Sequence, residues 1–288
     1  MTDNGLLRDS DFLVLGGTGK TGRRVVERLR ERGLPVRVAS RSAEGGRQRF
    51  VWEEEETWDP ALAGVGAVYL VPPGELTSPE SASAVRAFAE RAVTAGVRRV
   101  VLLSAREEEA VIDGERAVRE SGVAEWTVLR PSWFAQNFSE DFFLPAVLAG
   151  EVRLSTGDGQ EPFIDVEDIA DVAVAVLTED GHAGQTYELS GPRLLTFGEV
   201  VAEIAKATGR EIHYTALDEE RFTAESVRAG VEPHFVEVLR RLFAVIRNGK
   251  NAHLSDGVQR VLGREPRDIA GYIEATAASG AWAHQPTA

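Results

Sequence analysis

The chain has 288 residues, 43% of them hydrophobic, and a formal charge of -14. A chain of this length buries roughly three quarters of its unfolded surface, enough for one large domain or a core domain with an appendage. The acidic balance argues against nucleic acid or an anionic membrane as partner, because phosphate contacts need clustered Lys and Arg. The arginine pairs Arg23-Arg24, Arg98-Arg99 and Arg240-Arg241 read as solvated helix or strand ends. Without cysteine, disulfides, thiolate metal sites and cysteine nucleophiles are excluded, and no metal site is expected. Met1 to Ser10 is polar and no run reaches the ~18 apolar residues of a membrane span, so the cytoplasm is the expected location.

The first strong pattern is Phe12 to Gly22, an apolar run that ends in Gly16-Gly17-Thr18-Gly19-Lys20-Thr21-Gly22. Val25, Val26 and Leu29 follow at helical spacing, so the stretch reads as strand, tight turn and helix. Such glycines let the chain reverse, let a pyrophosphate approach bare backbone and let the helix pack on the strand. Amides at the helix start, with the positive end of its dipole, then hold phosphate. The loop is therefore expected to bind a dinucleotide.

A second strand, Val36 to Ala39, ends in Ser40-Arg41-Ser42, with no carboxylate before Glu44. An acid in this region would bind the ribose hydroxyls and repel a 2'-phosphate. Two hydroxyl residues around a guanidinium, with Lys20 and Arg47 nearby, instead suit that phosphate, and NADP is the expected cofactor. Arg49 to Trp52 reads as a short third strand and Gly66 to Val71 as a fourth, broken by Pro72-Pro73-Gly74. Its end, Val71, Pro72 and Pro73, is expected to face the cofactor.

A helix over Pro79 to Gly96, a strand over Val97 to Leu103 ending at Ser104, a helix from about Glu109 to Ser121 and a strand over Trp126 to Leu129 follow. Strands alternating with helices of this length predict an α/β fold, a Rossmann-type doubly wound parallel sheet. Beyond Pro131, residues Trp133, Phe134, Phe138, Phe142 and Phe143 are expected in one helical segment, with 134, 138 and 142 on one face. That face is either core or the wall of an apolar pocket. Phe163 to Ala170 leads from a strand into a helix whose first turn holds Asp168, and Tyr187 to Leu189 is another short strand. Thr196-Phe197-Gly198-Glu199 is a capping box opening a helix to Thr208; residues 218 to 248 and Asp268 to Ala278 read as helical. The expected division is residues 1 to 150, binding NAD(P), with sheet contributions to about 190, and a smaller α+β substrate-binding part over 151 to 288.

These motifs resemble the NmrA-like group of atypical short-chain dehydrogenases/reductases. The resemblance rests on Gly16 to Gly22, Leu102-Leu103-Ser104, Leu129 to Asn137, Phe163 to Asp168 and Gly263-Arg264-Glu265-Pro266, and it spans roughly residues 12 to 275. Leu129 to Asn137 is most similar to the ergot-alkaloid reductase branch, of the agroclavine dehydrogenase and festuclavine synthase type. The resemblance implies an NADP-binding Rossmann domain with the nicotinamide near Ser104 and the loop Pro131, Ser132, Trp133 and Phe134. It also places Ser104 where the family has its catalytic serine. Trp133, Phe134, Asn137 and Phe138 are the expected substrate contacts.

The chain departs from the wider family in one decisive respect. The residues four before Lys20, Lys206 and Lys250 are Gly16, Ala202 and Ile246, so no Tyr-x-x-x-Lys pair exists. Reducing a ketone builds charge on oxygen and calls for a placed acid, whereas reducing an iminium ion cancels a charge already present. The expected function is therefore NADPH-dependent hydride transfer to a small aromatic or polycyclic, iminium-like or conjugated acceptor. Tyr69, the one tyrosine expected near the cofactor, joins Ser104 and Asp165 as a candidate catalytic residue, and Asp165 or Asp168 is the carboxylate expected to favour a cationic substrate. Two other readings fit the same residues: a nucleotide-sensing regulator, and a non-redox isomerase or cyclase.

Overall fold

A computed structural model of the chain describes residues 11–74, 78–106 and 111–283. In chain order the elements are β1 (Asp11–Val14), α1 (Lys20–Glu31), β2 (Val36–Ser40), β3 (Gln48–Arg49), α2 (Trp58–Leu62), β4 (Val65–Leu70), α3 (Pro79–Thr94), β5 (Arg99–Leu103), α4 (Ile112–Glu120) and β6 (Glu125–Pro131). Then come α5 (Asn137–Glu140), α6 (Leu144–Ala149), β7 (Glu151–Leu154), β8 (Gln160–Glu161), α7 (Val166–Thr178), β9 (Gln185–Leu189) and β10 (Leu195–Thr196). The chain ends with α8 (Phe197–Thr208), β11 (His213–Ala216), α9 (Glu219–Arg228), α10 (Pro233–Arg247), α11 (Gly257–Leu262) and α12 (Ile269–Ser279). The expected start of α4 near Glu109 lies outside the described residues.

Packing divides the chain into two units. The first holds the chain up to Pro131 together with Val166–Leu189 and Asp256–Arg264. The second holds Ser132–Asp165, Ser190–Ser255 and the chain from Glu265 onward. Strand β9 pairs with β6, and α7 and α11 belong with that sheet.

The first unit is a seven-stranded sheet in the order β3-β2-β1-β4-β5-β6-β9, with every neighbouring pair parallel. The fold is thus the expected Rossmann-like α/β type. All residues of β4 and β5 are buried, as in strands covered on both faces. Leu13, Leu15, Val68, Leu70, Val100, Leu102 and Val128 pack with Phe88, Ala89 and Trp58 in one cluster. On α7 nearly every residue is buried, the pattern of a helix enclosed on all sides. The caps follow the residues: Ser78 accepts the Ser81 amide with Pro79 in the first turn of α3.

Arginine behaves differently from the sequence expectation. Arg99 is buried and bonds Glu125, Asp180 and the Leu177 carbonyl, and Arg240 pairs with Glu219 and Glu237. Arg24 and Arg28 of α1 both donate to Glu167, and Arg28 also to Asp171. Arg264 bonds Asp168 and Asp171 at 2.7 Å each. Asp168, completely buried, is thus held by a guanidinium as well as by its place in a helix first turn. Burial pushes the Glu167 carboxyl up, but Arg28 and Arg24 overcome this and hold it below the usual carboxylate range.

The second unit departs further from expectation. Residues 133 to 143 do not form one helix: a turn leads into the short α5, and α6 begins only at Leu144, so 134, 138 and 142 share no helical face. The two-stranded pairs β7 with β11 and β8 with β10 have too few residues to show a period. The Thr196–Glu199 capping box forms as expected, and Gly209, at φ 63°, ends α8. Phe138, Phe143, Phe163, Phe197 and Phe243 are the aromatic centre of this unit's core.

Glu167→Gln should lower stability at pH 7 by about 1 to 2 kcal/mol, the scale of lost charge-assisted bonds at a partly exposed site. The folded carboxyl titrates below its unfolded value, so its advantage is full above about pH 4.3 and is lost as pH falls through the folded value. Urea unfolding of both proteins checks this: the difference should shrink toward pH 3.

Candidate functional site

The strand order reverses direction between β1 and β4, and ligands of open parallel sheets bind at the carboxyl ends of the strands there. The glycine loop lies at that point. Gly16 has φ +61°, and a Cβ at residue 22 would lie 2.2 Å from the Gly16 carbonyl oxygen. A Cβ at residue 17 would lie 2.6 Å from Val38 Cγ1, and one at residue 19 would lie 3.2 Å from the Gly16 oxygen. Bare backbone is therefore a packing requirement.

Three strand ends are tied through this loop. The Leu15 amide donates to the Tyr69 carbonyl at 3.0 Å, Gly17 to Ala39 at 3.3 Å and Gly19 to Gly16 at 2.8 Å. Helix α1 starts with no side-chain cap and no acidic residue in its first turn, so its first amides are oriented for an anion. Thr18 is exposed, Lys20 half-buried and Thr21 buried. Val71 packs on Gly16, while Pro72 and Pro73 beside it are half-buried. Ser40 closes β2, and Arg41 and Ser42 follow it; Arg41 and Ser42 are exposed, and the Ser40 hydroxyl donates to the Ser42 carbonyl. The loop, the β2 end and the β4 end thus stand together, and they fit a dinucleotide with an additional ribose phosphate.

Ser104 follows β5 and is buried; its hydroxyl donates to Glu115 Oε1 at 2.8 Å. Glu115, with no exposed side-chain surface, also accepts from Arg130 Nε and Nη2 at 2.6 Å each and from Arg119 Nη2 at 2.9 Å. Sequence reasoning missed Glu115 and Arg130. The available signal was the carboxylate Glu115 at helical spacing from Val111 and Val118, on the buried side of α4 and its N-cap.

Tyr69 is wholly buried, and its hydroxyl makes no hydrogen bond of good geometry. Burial raises its pKa, against a smaller opposing effect of the Thr21 side chain. This placement removes Tyr69 from the catalytic candidates, because a sealed phenol reaches no substrate, and it agrees with the expected lack of a tyrosine acid. The other tyrosines are engaged: Tyr187 with His182 Nδ1 at 2.9 Å, Tyr214 with Thr156 at 2.8 Å and Tyr272 with Ser139 at 2.7 Å. Burial raises the pKa of each of these phenols as well.

In the second unit, the Ser132 hydroxyl donates to the Pro162 carbonyl at 2.6 Å, and Phe134 bridges to Ile164. Trp133 is half-buried and stacks on Phe143 and Phe243. Phe138, expected as a substrate contact, is fully enclosed by Phe143, Phe163 and Phe197, and Asn137 is buried. Phe138 is core because the turn at Gln136 points it inward. Asp165 is also buried and accepts from Gln136 Nε2 at 2.7 Å, which makes it part of a local network rather than an open anionic site. Among the described residues no cluster of His, Asp or Glu is spaced to hold a metal, and no helix is long and apolar enough to cross a membrane.

No family model matches the chain. It is 33% identical to YesF, an uncharacterized oxidoreductase of Bacillus subtilis, over 95% of this chain and 97% of that protein. It is also 33% identical to the NAD(P)H azoreductase of Xenophilus azovorans, over 93% and 98%, and to the agroclavine dehydrogenase of Claviceps fusiformis, over 91% and 96%. The chain belongs to their oxidoreductase family, the NmrA-like atypical short-chain dehydrogenases/reductases. The fold of this reductase family recurs in the solved Citrobacter triphenylmethane reductase complexed with NADP(H), with a TM-score of 0.79 at 20% identity over 93% of this chain and 99% of that one. It recurs also in the Escherichia coli NADPH-dependent quinone oxidoreductase QOR2, at 0.78 and 23% identity, over 92% and 99%.

Tyr69→Phe should leave the melting temperature unchanged or raise it, and change turnover by less than about 3-fold. A buried hydroxyl without a partner costs its desolvation, and general-acid catalysis would be worth roughly 100-fold or more. Thermal melts and NADPH-oxidation rates of the two proteins check this.

Proposed function

We propose that this protein is an NADPH-dependent reductase that delivers hydride to a small aromatic or polycyclic, conjugated or iminium-like acceptor without a tyrosine acid. The observation that carries this reading is the state of the phenols. Each of the four tyrosines has its pKa raised by burial, and three of the four are hydrogen-bonded to another side chain. A phenol that gives a proton near neutral pH needs the opposite tuning. An acceptor that is already electron-poor needs no such donor.

The backbone from Gly16 to Gly22 binds the pyrophosphate, Arg41 with Ser40 and Ser42 takes the 2'-phosphate, and Ser104 orients the nicotinamide end. When bound, the reduced nicotinamide supplies the hydride. The names of the relatives and of the structural neighbours support the acceptor class. Azo compounds, quinones and triphenylmethane dyes are all conjugated electrophiles.

Calorimetric titration should show tighter binding of NADPH than of NADH, and Arg41→Ala should lose about 1.5 to 3 kcal/mol for NADPH alone. Equal affinities in the unaltered protein would refute the cofactor assignment. An NADPH-oxidation screen over cyclic imines, quinones, azo dyes, enones and ketones, with stereospecifically deuterated cofactor, should give turnover on the conjugated classes and transfer of one deuterium. Turnover of simple ketones alone contradicts the acceptor class, and tight binding with no turnover on any class favours a nucleotide sensor.

A further inference from the structure

The carboxylate of Glu115 is a buried charge that no step of the proposed reaction uses, and its surroundings fix more than its own position. Its Oε1 receives Ser104 Oγ at 2.8 Å and Arg130 Nε at 2.6 Å. Its Oε2 receives Arg130 Nη2 at 2.6 Å and Arg119 Nη2 at 2.9 Å. A guanidinium can only donate. Both carboxylate oxygens are therefore acceptors, and the one bond left for the Ser104 hydroxyl proton points at Oε1.

The serine is held on its other side as well. Its amide donates to the Leu129 carbonyl at 2.8 Å, so the backbone after β5 is tied to β6. Arg130 belongs to β6, and Arg119 Nη2 also reaches Thr186 Oγ1 on β9 at 3.1 Å. Glu115 thus joins the carboxyl ends of β5 and β6 at one hydroxyl and, through Arg119, reaches Thr186 of β9. A serine hydroxyl has one proton and two lone pairs. With the proton committed, Ser104 can only accept.

We propose that Glu115 is a positioning residue that fixes the Ser104 proton, so that Ser104 offers only lone pairs and accepts an N–H bond from the nicotinamide carboxamide. This rests on the cofactor reading given above. It also withdraws Ser104 as an oxyanion donor toward a substrate carbonyl. A purely structural Glu115 would tie α4 to β6 without any effect specific to the nicotinamide.

The test separates the two ends of the cofactor. NADP+ and 2'-phospho-ADP-ribose, which lacks the nicotinamide, are titrated by calorimetry into the unaltered protein, Ser104→Ala, Glu115→Gln and the double variant. Each single change is expected to weaken NADP+ by about 2- to 10-fold, the scale of one hydrogen bond, and to leave phospho-ADP-ribose unchanged. The double variant should lose no more than Ser104→Ala, because both changes remove the same bond. Equal weakening of both ligands, additive losses, or an unchanged NADP+ affinity in Ser104→Ala overturns the proposal. If Glu115→Gln does not fold, Glu115→Met with Arg130→Met and Arg119→Met removes the charge and both guanidinium partners together and is read in the same way. Failure of the unaltered protein to bind either ligand would instead overturn the cofactor reading and this role with it.

Discussion

The rest of the first unit depends on one close approach: the Gly16 carbonyl lies 2.2 Å from where a Cβ at residue 22 would be. With hydrogens at both glycines, α1 seats directly on the turn that leaves β1. Any side chain at 22 would lift the helix and break the alignment of loop and strands. The same turn takes the Ala39 and Tyr69 carbonyls from β2 and β4, so one loop sets three strand ends. Its helix then begins with amides that no side chain caps. Close packing at Gly22 and a bare, uncapped helix start are thus features of the same turn.

A helix seated through its amino end needs to be held along its length, and arginine does this. Arg24 and Arg28 reach from α1 to Glu167 and Asp171 on α7, and Arg264 after α11 reaches Asp168 and Asp171 on the same helix. A planar guanidinium bonds two carboxylates in fixed directions, which a lysine ammonium does not. Arg264 and the start of α7, distant in sequence, are thereby parts of one clamp. Asp168, completely buried, is among the carboxylates this arginine set serves, and a buried charge depends on such partners for its desolvation.

The same use of arginine appears at Ser104, where chemistry and architecture meet. Glu115 is satisfied by two guanidiniums, so it behaves as a fixed acceptor to which a hydroxyl must point its proton. The molecule therefore presents fixed groups for binding and orientation and has no phenol tuned for proton donation. That combination fits the proposed acceptor class, and the family includes an NAD(P)H azoreductase and an agroclavine dehydrogenase.

The sequence by itself determined the glycine loop, the parallel α/β sheet, the missing carboxylate after β2 and the absence of Tyr-x-x-x-Lys. Each of these is a local pattern or a count, readable because glycine, strand period and residue spacing act over a few positions. Only the tertiary structure decided that Tyr69 is sealed, that Phe138 is core while Trp133 is half-buried, and that Arg99 is buried. It alone placed residues 256 to 264 in the first unit and brought Glu115 to Ser104. Those outcomes depend on which distant segments pack together: Phe138 meets Phe163 and Phe197, and Glu115 meets Arg130, through contacts that no window along the chain contains. A side chain's exposure and the direction of a hydroxyl proton are set by such neighbours, and so they could be assigned only once the chain was folded.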